Sequence, residues 1–108
     1  MNLPSRREKI EAMLADEPED QFLRYALAME LEKAGEHQRS LELLRGLMND
    51  TQRHVPAYFM AGQHLANQDR IEEAREVLSA GINEAHRQGD THAGAEMREF
   101  LANLDSSI

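Results

Sequence analysis

The 108-residue chain has no cysteine. Disulfides, thiolate metal sites and cysteine nucleophiles are therefore excluded. No apolar run approaches the ~18 residues of a membrane span. The start, Met1-Asn2-Leu3-Pro4-Ser5-Arg6-Arg7, lacks the apolar stretch of a signal peptide. A cytoplasmic protein is the expectation. Cations are scarce: 12 Lys and Arg face 20 Asp and Glu, a net charge of −8. That balance repels phosphate backbones and anionic lipid surfaces, so neither nucleic acid nor membrane is an expected partner. What remains is ordinary globular material. Hydrophobic residues make up 41% and glycines number 6, an apolar share inside the usual range of roughly 45–50%. The length suits one domain, 1–108, with one modest core.

Between the turn residues Pro4, Pro18, Gly35, Pro56 and Gly89, every segment carries apolar residues three and four apart. That spacing predicts helices, and nothing alternates as a strand would. Ser5 with Glu8 reads as a capping box opening a helix to about Asp16. The acidic run Asp16-Glu17-Pro18-Glu19-Asp20 ends it and suits the positive end of a second helix, which Gly35 stops. Leu41, Leu44, Leu47 and Met48 form the apolar stripe of a third. Pro56 suits the first position of a fourth. Asp69 with Glu72 suggests a second cap-and-return opening a fifth helix that ends near Gln88. Gly89-Asp90 then stops that helix and caps a sixth, from Thr91 to about Leu104.

A lag of 34 residues superposes Ile10, Leu44 and Leu78, and likewise Tyr25, Phe59 and Ala93. The run Tyr58-x-x-Ala61-Gly62-x-x-Leu65 followed by Ala74-x-x-x-Leu78 resembles the tetratricopeptide repeat. Thirty-four residues earlier stand Arg24-x-x-Leu27-Ala28-x-x-Leu31 and Ser40-x-x-x-Leu44, with the aromatic slot lost to Arg24. The resemblance implies an all-α fold, a right-handed α-solenoid of helix-turn-helix hairpins with about six helices. Its parts would be a half repeat over 5–18, repeats over 21–54 and 55–88, and a capping helix over 90–104. Ala28, Gly62 and Ala74 would let helices approach, and Leu44 and Leu78 would fill the space between hairpins. On the last helix Ala93, Met97, Phe100, Leu101 and Leu104 face inward, and Glu96 and Glu99 are expected on the far, solvated side.

The chain offers little chemistry. His37, His54, His64, His86 and His92 read as solvated residues; His92 and Glu96 are two ligands where a metal needs three or four. Gly89-Asp90-Thr91-His92-Ala93-Gly94 lacks the Lys-Ser/Thr of a phosphate loop. Glu72, Glu73 and Glu76 beside Arg75 read as a solvated charge run. Ser5 and Ser40 have capping or packing explanations. No catalytic residue, cofactor or metal is expected. The resemblance implies instead a concave groove for a partner protein's peptide or helix. Tyr25, Met29 and Phe59 would be apolar anchors, with Gln63 in the second repeat and Lys33 and Asn67 at the edge. Two of the chain's few aromatics fall at corresponding positions. The same residues could instead be covered by the N-terminal segment or by Phe100, and the same face could pair two copies into a homo-oligomer.

Overall fold

Local chemistry sets the helix boundaries. In a computed structural model that describes residues 2–106, leaving Met1, Ser107 and Ile108 outside, the elements are α1 (Arg6–Asp16), α2 (Gln21–Lys33), α3 (His37–Met48), α4 (Val55–Asn67), α5 (Ile71–Gln88) and α6 (Thr91–Ser106). There is no strand among the described residues. Ser5 and Glu8 form both bonds of the capping box. Asp20 accepts from the Leu23 amide at 2.9 Å, and Asp90 from the Ala93 amide at 3.1 Å, satisfying donors a helix start leaves unpaired. Pro56 is the second residue of α4, not the first.

The turns closing the two central hairpins are built alike. The Glu36 amide bonds back to the Leu31 carbonyl, and the Arg70 amide to the Leu65 carbonyl, both at 2.9 Å. Such a turn needs one residue in the left-handed region. Gly35 supplies it at φ 80°, and 34 residues on Asp69 supplies it at φ 61°. Asp69 therefore does not cap α5. Arg70 occupies the cap position; its side chain caps no backbone amide and instead donates to the Glu73 carboxylate in the first turn of α5 at 2.9 and 2.7 Å.

Each helix packs on the next in sequence and α6 also reaches α4, giving a bar of 51 × 29 × 19 Å. Leu41, Leu44, Leu47, Leu65, Leu78 and Met97 are fully buried, and Leu44 and Leu78 sit in the main core as the spacing predicts. Helices meet tightly at Gly62 and Gly81: a methyl would lie 2.6 Å from Leu78 Cγ at the first and 2.5 Å from Tyr58 Cβ at the second. Ser40 has a packing role, since its buried hydroxyl donates to the Ala28 carbonyl at 2.7 Å. Ile10, Ala26, Leu27 and Leu31 form a second, smaller cluster under α1. No described helix is long and apolar enough to cross a membrane.

Candidate functional site

Helices α2, α4 and α6 contribute side by side to an open cleft of about 140 Å³, lined by Tyr25, by Val55, Pro56, Phe59, Met60 and Gln63, and by Ala93, Glu96 and Met97. Of the residues the sequence singles out, it gathers Tyr25, Phe59 and Gln63. Met29 is half-buried outside the lining, and Lys33 and Asn67 are exposed. Lys33 is engaged along its own helix with Glu30 at 3.2 Å.

The two aromatics are held without being closed over. Tyr25 meets the His54 ring edge-on, centroids 5.3 Å apart, and Phe59 meets Phe100 at 5.8 Å. Both remain half-buried. The open and covered alternatives thus meet in one arrangement: a neighbouring ring fixes each aromatic from one side, and the cleft reaches it from another. Burial raises the Tyr25 hydroxyl above its ordinary pKa, so it remains a neutral phenol at physiological pH.

Charge around the cleft has one sign. Glu96 is the single charged lining residue. A second hollow beside it is lined by Phe59, Glu96, Glu99, Phe100 and Asn103. Glu96 and Glu99 are exposed as expected, and Glu96 also borders the cleft beside Phe59. Its nearest basic neighbour is the exposed His92, Nε2 at 3.3 Å.

The histidines are not all solvated. His64 is buried, 6% exposed, and its Nδ1 lies 3.4 Å from Glu32 Oε1, whose other basic neighbour is His37 Nδ1 at 2.9 Å. Burial pushes the His64 pKa down, the Glu32 carboxylate opposing it. Burial also lowers His54. Three helices thus meet at a polar crossing beyond the cleft, where His64 Nδ1 and Glu32 Oε1 form no hydrogen bond. No group of three or more acidic, histidine or cysteine side chains among the described residues is placed to hold a metal.

Sequence reasoning passes over Phe22. It stands three residues before Tyr25 and seven before Met29, on the same side of α2, and is 75% exposed. The signal was present: a lag of 34 aligns it with Pro56 of the cleft.

No family model and no curated protein matches the chain. Solved structures do. A tetratricopeptide repeat domain protein from Salinibacter ruber, solved in solution, is 29% identical with a TM-score of 0.77, over 82% of this chain and 90% of that one. A crystal structure of a tetratricopeptide repeat domain protein from the same organism gives 28%, 0.73, 82% and 98%. A protein from Bordetella parapertussis gives 25% and 0.82 over 97% of this chain and 91% of that one. The fold is tetratricopeptide-like, an all-α helical repeat.

Proposed function

We propose that the chain is a non-catalytic, cytoplasmic interaction module whose concave face, across α2, α4 and α6, holds a peptide or helix of a partner protein by apolar burial. The fold suggests a protein-interaction module in general; the observation that carries the finer reading is the solvent-open apolar cleft joining Tyr25 to Phe59. Tyr25, Phe59 and Met29 serve as anchors, Gln63 as a polar contact within the cleft, and Lys33 and Asn67 as its exposed edge. In this reading residues 21–54 and 55–88 are the working repeats, 5–18 is a half repeat, and 90–104 both caps the array and completes the groove wall.

The test is affinity capture with cross-linking and mass spectrometry, comparing the natural chain with Tyr25→Ala/Phe59→Ala. Capture should be lost while the melting temperature falls little, because half-exposed rings forfeit less than the ~3–5 kcal/mol of a buried aromatic. Unfolding of the double variant would make these residues core and remove the reading.

One observation favours a second reading. Phe22 is exposed on the side of α2 that carries Tyr25, as expected if that face pairs with another copy. Light scattering across a dilution series separates the two.

A further inference from the structure

Three observations restrict what the cleft accepts. Its volume is about 140 Å³, close to the ~150 Å³ at which an apolar protein cavity takes up benzene, so it has room for one aromatic or leucine-sized side chain and little more. Its lining side chains are apolar except for Gln63, Glu96 and the phenol of Tyr25. Its acidic groups, Glu96 and Glu99, have no lysine or arginine beside them in either hollow. On α6, Arg98 lines a different hollow with Gly94 and Ile82, and the exposed His92 stands 3.3 Å from Glu96. Arg24 is held by Asp50 at 2.6 Å, and Lys33 by Glu30 at 3.2 Å.

We infer that the partner segment is cationic: a short stretch carrying one large apolar side chain, a phenylalanine or leucine, with lysine or arginine on either side. This rests on the groove reading above and deepens it. The apolar side chain enters between Tyr25, Phe59 and Met97, and the flanking cations face Glu96 and Glu99. The overall charge of −8 speeds the approach of such a segment. It also opposes a second copy of this chain as occupant. The exposed ring of Phe22 follows Glu17, Glu19 and Asp20, and docking it would bring those carboxylates toward Glu96 and Glu99.

The probes are acetylated, amidated, dye-labelled peptides with one phenylalanine flanked by lysines, by glutamates or by serines, and a lysine-flanked alanine control. Binding is read by fluorescence anisotropy. At low salt the lysine-flanked phenylalanine peptide should bind about tenfold tighter than the glutamate-flanked one, the effect of two partly solvated ion pairs. The gap should narrow to about twofold at high salt, and at low salt in Glu96→Gln/Glu99→Gln. Ala93→Leu, or Gln63→Phe should the first disturb packing, should fill the cleft and abolish phenylalanine-dependent binding, with helicity checked by circular dichroism. Phenylalanine peptides that bind equally whatever their flanks overturn the inference and leave the groove reading standing. A control peptide binding as tightly as the phenylalanine one overturns it too, reducing the attraction to charge. Binding by none, or binding indifferent to both filling variants, overturns inference and groove together. Concentration-dependent scattering abolished by Phe22→Ala assigns the face to a second copy and overturns the inference.

Discussion

The two central hairpins are the same object solved twice with different materials. In α4/α5 the aromatic slot holds Tyr58, 5% exposed, whose hydroxyl donates to the Met48 carbonyl at 3.1 Å and whose Cβ lies so close to Gly81 that no methyl would fit there. In α2/α3 the same slot holds Arg24. Its guanidinium clasps Asp50 through two bonds of 2.6 and 3.0 Å, joined by Gln21 at 2.9 Å. Arg24 holds the Asp50 carboxyl below its usual range, with Gln21 adding to the effect. Both side chains tie the start of a first helix to the segment around the end of α3. One does it by filling space in the core, the other by pairing charge at a partly solvated surface, and the two should differ in strength and salt dependence.

Removing a neighbour from each end should separate the hairpins most. Ending the chain at Gln88 uncovers the side of α4/α5 that buries Met97 completely and holds Ala93, Phe100, Leu101 and Leu104 against the main core. At roughly 1.5–3 kcal/mol for each large side chain, against a total of about 5–15, most of the cooperative thermal transition should disappear or the protein should aggregate. Deleting residues 2–16 removes a helix whose one buried residue is Ile10, so that melting curve should shift but survive. Removing only 105–108 loses the exposed Arg75–Asp105 pair at 2.7 Å and should change little.

A single substitution per hairpin sharpens the contrast. Tyr58→Ala should cost about 3–5 kcal/mol in chemical denaturation, as for a buried aromatic. Arg24→Ala should cost about 1–2, with a penalty that shrinks in high salt. Equal costs would mean that the arginine clasp substitutes fully for the ring.

The turns give a smaller effect of known sign. A non-glycine residue in the left-handed region costs roughly 1 kcal/mol or somewhat more, and aspartate tolerates it better than most. Asp69→Gly should therefore stabilise α4/α5 by up to about 1 kcal/mol, and Gly35→Asp should weaken α2/α3 by a similar amount. A pair of denaturation midpoints decides it.

The smallest effect is in pH. Burial lowers the pKa of His64 in the folded chain, so the unfolded state binds its proton first, and stability should fall as pH drops below about 6.5, the ordinary histidine value. The loss continues down to the lowered folded value and then levels off. Between pH 7.5 and 5, His64→Gln should show a shallower decline in melting temperature than the natural chain. An unchanged slope would assign the decline to other groups, His54 first.

What the sequence made legible was whatever depends on near neighbours along the chain. The Ser5–Glu8 box, the stops at Gly35 and Gly89, and the stripe from Leu41 to Met48 need only helical spacing. The burial of Leu44 and Leu78 followed from a repeat length. The misreadings share a cause. Asp69 and Glu72 have the spacing of a cap, but the turn's need for a left-handed residue takes Asp69 first. His64 is polar, yet it faces Glu32 and His37 on two other helices, which no window along α4 can reveal. Glu96 lies on the exposed polar side of α6, as a wheel draws it, but that this side borders the cleft shows only once α4 is in place. For the candidate site, Tyr25, Phe59 and Gln63 were legible through the repeat, whereas Phe22, Pro56 and Met60 required the three helices to be seen together.

A bar whose helices touch chiefly their neighbours in sequence unravels by degrees. Each end can open while the middle stays closed, so the amide protons record a gradient and not one protection value. Those of α1, whose one buried residue is Ile10, should exchange soonest with solvent deuterium. Those of α4 and α5, packed between α3 and α6, should exchange slowest. The cleft lies against this slow centre, with Tyr25 reaching it from the looser side, and a partner seated across it would slow exchange most in α2.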